Sequence, residues 1–238
     1  MSQTNIIILA AGKGKRMKSE LPKVLVPFMG KSMIKHVLDN CKSIGTETIV
    51  VVGYKKDLVE QELVKYNVSF VHQKEQLGTG HAVLVTESKF NNFTGDIVIL
   101  FGDSPLISRN VIKKFIEFHK NNKYVASMLT KDSKIPGECA RIIRNENGLF
   151  YKSIEFKDLP DKYKNITEIN VGVIICKSKV LFNTLKKIKN NNAQKEYYLP
   201  DIINILANNT NVGVYKSNEI PELFSFNNIK ELKKAELI

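Results

Sequence analysis

At 238 residues, 43% hydrophobic and 25% charged, the chain is long enough for one sizeable α/β domain, and a disordered or disulfide-scaffold protein is excluded. No apolar run approaches the ~18 residues of a membrane span, and Cys41, Cys139 and Cys176 are too widely spaced for a zinc or redox motif. The net charge of +12 comes from scattered lysines, with arginine only at Arg16, Arg109, Arg141 and Arg144 and no aromatic–basic interleaving, so small anions rather than nucleic acid are the expected partners.

The first predicted strand, Asn5–Ala10, follows a start without a basic region or cleavage site; no signal peptide and a cytoplasmic location are expected. Strand patterns recur at Thr48–Gly53, Ser69–Gln73 and Asp96–Phe101, alternating with helical patterns at Ser32–Ile44, Lys56–Tyr66, Thr79–Phe90 and Arg109–Asn121. Continuous apolar strands in βα alternation predict a mostly parallel sheet covered on both faces, with ligands outside the strands' carboxyl ends at the switch point. The second half reads as strands at Tyr124–Thr130, Ala140–Arg144, Leu149–Ile154 and Glu168–Cys176, helices at Ser178–Lys189 and Leu199–Ala207, and a strand at Val212–Lys216. Asn147-Gly148 signals a two-residue hairpin. No linker or repeat divides the chain, so a single domain over 1–238 is expected.

After the run Ile6–Leu9 the chain continues Ala10-Ala11-Gly12-Lys13-Gly14-Lys15-Arg16-Met17, then Leu21-Pro22-Lys23-Val24-Leu25. A strand ending in small residues and two glycines lets backbone N–H groups converge on an anion, and the basic side chains add charge. A dinucleotide fingerprint is excluded because Met17 stands where its third glycine belongs. Gly30-Lys31-Ser32 is no Walker A loop, since Leu25 occupies the required glycine position. The expected ligand is a polyphosphate.

Gln73-Lys74-Glu75-Gln76-Leu77-Gly78-Thr79-Gly80-His81-Ala82 makes the pattern specific. With the opening loop it resembles the uridylyltransferase part of the bacterial bifunctional N-acetylglucosamine-1-phosphate uridylyltransferases, in the sugar nucleotidyltransferase family. Phe101–Leu106, Ile154–Asp158, Glu168–Gly172, Asn192–Leu199 and Phe226-Asn227-Asn228 match in the same order, so the resemblance covers essentially the whole chain. It implies a Rossmann-like α/β fold with a mixed, mostly parallel sheet. Residues 1–110 would mainly bind the nucleotide, 111–227 mainly the sugar, and 228–238 would form a C-terminal helix. The implied reaction is Mg²⁺-dependent formation of UDP-N-acetylglucosamine and pyrophosphate from UTP and N-acetylglucosamine 1-phosphate. The same transfer with another sugar phosphate or nucleoside triphosphate is the alternative. The family's second half, a β-helix with acetyltransferase activity that trimerises, has no counterpart in this sequence, which leaves the oligomeric state open.

The resemblance places Leu9, Ala10, Ala11, Gly12, Lys23, Gln73, Gln76, Gly78 and Thr79 at the nucleotide. Gln73, with one acceptor and two donors, could satisfy both the imide N–H and a carbonyl of uracil. Lys23 and Arg16 would meet the phosphates, though a lysine in so lysine-rich a chain can equally be solvated. Asp103, after an apolar strand and a glycine, suits Mg²⁺, a hard cation that keeps several waters; a helix cap is its other reading. Asn227 would be the second metal ligand. Gly102, Ala140, Glu155, Asn170 and Tyr198 are implied at the sugar, with a core aromatic the other reading of Tyr198. Phosphoryl transfer needs positioning and charge neutralisation rather than a protein nucleophile, so the absence of a Ser–His or Cys–His pattern is expected. The presence of Lys23, Asp103 and Asn227 favours an enzyme over a non-catalytic sensor on this fold. Three positions depart from the family pattern: Ala140 stands for a glycine, Phe101 for a tyrosine and Val171 for a threonine.

Overall fold

Residues 4–10 alternate their side chains between two apolar layers, which is why an uninterrupted hydrophobic run here makes a strand rather than a helix. In the computed structural model, which describes residues 3–17, 19–226, 228–235 and 237, this run is β1 (Thr4–Ala10), buried along its whole length. A small hairpin follows, β2 (Pro27–Phe28) with β3 (Lys31–Ser32). Then come α1 (Met33–Cys41), β4 (Thr48–Val52), α2 (Lys56–Glu62), β5 (Ser69–His72), α3 (Thr79–Leu84), β6 (Asp96–Phe101) and α4 (Arg109–Asn121). The second half adds β7 (Ala126–Asp132), β8 (Arg141–Arg144), β9 (Phe150–Ile154), β10 (Glu168–Lys177), α5 (Ser178–Leu185), α6 (Asp201–Ala207), β11 (Val212–Lys216) and α7 (Ile229–Ala235).

The main sheet runs β11-β7-β10-β6-β1-β4-β5, with β8 and β9 attached beside β10. Within that path β10 is antiparallel to both neighbours and every other adjacent pair is parallel. The fold is therefore α/β with a mixed, mostly parallel sheet. Ile6, Ile8, Val50, Val98 and Leu100 pack in one layer with α1, α2 and α4. Ile7, Leu9, Ile49, Val51, Ile97 and Ile99 pack in the other with α3, α5 and α6. The expected helix cover on both faces is present. A third cluster joins Met17, Phe28 and Met33 to Phe226 and α7. Among the described residues no helix is long and apolar enough to cross a membrane.

Several boundaries move for local reasons. The helix expected over Thr79–Phe90 stops at Leu84 and resumes as a 3-10 turn at Glu87–Phe90. Thr86 lies between and donates its hydroxyl to Val83 O at 2.7 Å, a local bond that competes with the helical ladder. α2 ends at Glu62 rather than Tyr66, where Tyr66 N–H closes a turn onto Leu63 O at 2.8 Å. The hairpin at Asn147-Gly148 has three loop residues, not two. Asn145 N–H donates to Leu149 O, Gly148 N–H to Asn145 O, and Gly148 takes φ +74° while Asn147 stays outside positive φ. That is a turn closed by a glycine bulge, not the mirror-image turn that needs two positive φ values.

Candidate active site

The chain moves from β1 outward through β4 to β5, then returns to place β6 on the other side of β1. The two strands diverge in their connections at their carboxyl ends, the position where open α/β sheets hold ligands. The loop after β1 carries Ala11–Gly14, and the turn after β6 carries Gly102 and Asp103.

Gly14 adopts φ +62°, and a Cβ built on it would lie 2.5 Å from Lys23 Cβ. Only glycine lets the loop pass so close to Lys23 in this conformation. Lys23 opens a 3-10 turn (Lys23–Leu25) behind Pro22. Its ammonium makes an ion pair with the Asp103 carboxylate, with side chains 14% and 21% exposed. Gly102 donates its N–H to Leu9 O at 2.9 Å, and an added Cβ would stand 3.1 Å from Val24 Cγ1. Gly102 therefore brings the β6 end against β1 and lines neither compartment of the cleft. Asp103 does not cap the helix that follows; Ser108 does, its Oγ accepting from Val111 N–H at 3.3 Å.

A first compartment of about 870 Å³ opens above these loops. Leu9, Ala10, Ala11, Gly12, Lys23, Gln73, Gln76, Gly78 and Thr79, the nine residues expected at the nucleotide, all line it. Gln73 is 3% exposed, and its Nε2 donates to Gly78 O at 3.1 Å and lies 3.0 Å from His81 Nδ1. One amide hydrogen of Gln73 is thus taken up by Gly78 O, and the His81 ring lies beside the same nitrogen. Thr79 does not cap α3 through its side chain; Gly78 is the N-cap. The Thr79 hydroxyl instead accepts from Leu199 N–H at 2.9 Å. Tyr197 N–H donates to Leu77 O and Gly80 N–H to Tyr197 O, at 2.8 and 2.7 Å, so the 77–80 segment is stitched to the far wall.

A second compartment of about 280 Å³ adjoins the first, and Arg16, Thr79, Phe101, Asp103 and Glu155 line both. Ala140, Glu155, Asn170 and Tyr198 lie there together. Asn170 Oδ1 accepts from Gly172 N–H at 2.8 Å across an irregularity in β10, and Asn170 N–H donates to Ala140 O at 3.0 Å. The Tyr198 hydroxyl is buried beside the Asp158 carboxylate, and burial followed by that charge holds the phenol above its ordinary range. Burial, followed by the charges of Asp201, Asp158 and Glu196, pushes the Glu155 carboxyl up to about 7. Arg16 pairs with Glu138 at an exposed position where the two compartments meet.

Glu138, Cys139, Phe224 and Ser225 also line the second compartment but carry no sequence signal of their own. Arg141 follows Ala140 as the first residue of β8. Its buried guanidinium donates to the carbonyls of Pro136, Gly137 and Cys139 and so shapes the loop beneath Ala140. Among the described residues no group of three or more His, Cys, Asp or Glu could hold a metal ion. One carboxylate, Asp103, on the wall of both compartments still fits Mg²⁺, which binds through one or two carboxylates together with substrate phosphates. Asn227 lies outside the described residues.

The profile of the MobA-like NTP transferase domain matches residues 6–195. The bifunctional protein GlmU of Streptococcus gordonii is 44% identical over 234 residues, which are 98% of this chain and 51% of that protein. GlmU of Streptococcus mutans is 43% identical over the same shares. The chain spans about half the length of these curated relatives. Among solved structures, UDP-glucose pyrophosphorylase complexed with UDP-glucose superposes with a TM-score of 0.77 at 18% identity, covering all of this chain and 98% of that one. A Bacillus anthracis protein described as a glucose-1-phosphate thymidylyltransferase, in complex with a sucrose, gives 0.76 at 21% identity, covering 98% and 94%. These two share the fold.

Proposed function

Because the chain belongs to the MobA-like NTP transferase family, we propose that it transfers a uridylyl group from UTP to N-acetylglucosamine 1-phosphate. The observation that carries the reading is the Lys23–Asp103 pair, set where a compartment of nucleotide size meets a smaller one bearing Glu155, Asn170 and the buried Tyr198 hydroxyl. The sugar phosphate oxygen attacks the α-phosphorus of UTP, a P–O bond forms, and the bond to the β-phosphate oxygen breaks to release pyrophosphate.

Within that step Lys23 places a point charge where negative charge builds on the phosphates, and Arg16 meets the leaving pyrophosphate. The backbone of Leu9–Gly12 holds the phosphates against the end of β1. Gln73 Oε1 accepts from the uracil imide, while Gln76 and the Gly78–Thr79 backbone close the base wall. Glu155, Asn170 and Tyr198 orient the sugar. Mg²⁺, held by Asp103 and the substrate phosphates, with Asn227 as the implied second ligand, would supply charge neutralisation.

The same transfer with a different sugar phosphate is the second reading, favoured by one observation: Ala140 puts a Cβ on the wall of the sugar compartment where the family pattern has glycine. The substrates are small molecules, and the site of action is the cytoplasm. Pyrophosphate release across a grid of nucleoside triphosphates and sugar 1-phosphates, with Mg²⁺ and with EDTA, tests both. Metal-dependent release with UTP and N-acetylglucosamine 1-phosphate is expected. Release with another pair keeps the mechanism and overturns the substrate; silence across the grid overturns the enzyme.

A further inference from the structure

Two loops far apart in sequence supply neighbouring parts of the second compartment's wall. The loop before β8 contributes Glu138, Cys139 and Ala140, and the stretch after β11 contributes Phe224 and Ser225. Glu222, which lines neither compartment, joins them. Its Oε1 accepts from the Ser133 hydroxyl and from Ile135 N–H at 2.9 Å. Its Oε2 accepts from Lys131 Nζ at 2.8 Å, and the same ammonium donates to Pro221 O at 3.3 Å.

Among the described residues, these bonds are the polar tethers of residues 220–226 to the rest of the chain. The remaining hold is apolar: Phe224 is buried, and the Phe226 ring lies 4.8 Å from that of Phe28. Apolar burial is non-directional, so it covers the segment without setting its register along the wall. A carboxylate with three donors at defined angles does set it. The far end of the 133–140 loop is held separately, by the Arg141 guanidinium on three carbonyls. At the other end of that loop Ser133 N–H donates to Thr167 O at 2.9 Å, and Glu222 ties the same end to the 220–226 segment.

We propose that Glu222 is a positioning residue for the acceptor site, setting the spacing between the 133–140 loop and the 220–226 segment and thereby the fit of the sugar phosphate. This role rests on the second compartment being the sugar-phosphate site. Burial works against ionisation of Glu222, but the bonds from Lys131, Ser133 and Ile135 outweigh it and hold the carboxyl at about 2. The tether therefore stays ionised at every pH where the enzyme is assayed.

The test compares steady-state kinetics and Tm of the wild type with E222A, E222Q and S133A. In E222A the KM for the sugar phosphate rises about tenfold while the KM for the nucleotide changes less than about twofold. E222Q keeps an acceptor for Ser133 and Ile135 and falls in between. Since E222A strips the buried Lys131 of its partner and can fail to fold, S133A is decisive. It leaves the Lys131–Glu222 pair intact, and the sugar-phosphate KM rises about threefold while Tm falls by about 2–8 °C and the protein stays folded. Equal effects on both substrates, a loss of Tm alone, or variants indistinguishable from an active wild type overturn the role of Glu222. A wild type silent toward every sugar 1-phosphate, in turnover and in calorimetric binding, removes the acceptor site itself and this role with it.

Discussion

Lys23 and Asp103, 80 residues apart in the chain, meet as an ion pair between the ends of β1 and β6. The pair sets a cation for phosphate oxygens beside a carboxylate for a metal, and the close packing of Gly14 and Gly102 holds both in place. Asp103→Asn keeps the shape and removes the charge. Pyrophosphate release falls by about 10² or more at saturating Mg²⁺, as when one preorganised electrostatic group is lost. Far-UV circular dichroism stays unchanged; near-normal turnover sinks the metal assignment.

Gly14→Ala tests how Lys23 is placed. An alanine at φ +62° costs about 1–2 kcal/mol from the left-handed backbone alone, before its Cβ meets Lys23 Cβ at 2.5 Å. The Tm drops by about 2–8 °C, and turnover falls more than the fraction unfolded accounts for. A variant with wild-type stability and rate shows that the loop can re-route.

Glu155 predicts opposite pH trends for stability and for binding. Its carboxyl is raised from 4.5 to about 7, so the folded protein holds a proton there that the unfolded chain gives up. Stability from this group is present at acid pH and is lost as pH rises through about 7. The ionised carboxylate is the better acceptor for a sugar hydroxyl, so the KM for the sugar phosphate falls over the same range. Glu155→Gln flattens both profiles. A pH-independent wild-type KM between pH ~6 and ~8 removes Glu155 from the sugar.

Tyr198→Phe separates folding from function. The buried hydroxyl lies beside the Asp158 carboxylate, so its removal loses at most one local hydrogen bond of about 1 kcal/mol. The Tm therefore stays within about 4 °C of the wild type, while the sugar-phosphate KM rises about fivefold through a lost hydrogen bond of about 1 kcal/mol. An unchanged KM makes Tyr198 a core aromatic and nothing more.

The strands and their two-sided burial were legible because they depend on residues adjacent in sequence. An apolar run such as Ile6–Leu9 between polar segments reads as a strand covered on both faces, and Gly12–Met17 behind it as a basic, glycine-bearing loop at its end. The placement of Asp103 after β6 followed from the same local logic. The boundaries that moved did so through single local features: the Thr86 hydroxyl on Val83 O, the Tyr66 N–H on Leu63 O and the positive φ of Gly148. Composition and periodicity do not register such bonds.

Sequence alone was enough to specify most strands and helices of the main sheet and which loops gather charge, but not the β2–β3 hairpin, because propensity and periodicity act over a few residues. Which of those loops share a cleft was decided by the strand order, which brings β6 back beside β1 and inserts β10 between β6 and β7. Whether Gln73 offers donors or an acceptor, whether Thr79 caps its helix or holds Leu199, and which residues Glu222 ties together depend on partners far along the chain. A hydrogen bond is specified by distance and angle in space, and only the packed sheet brings those partners within reach.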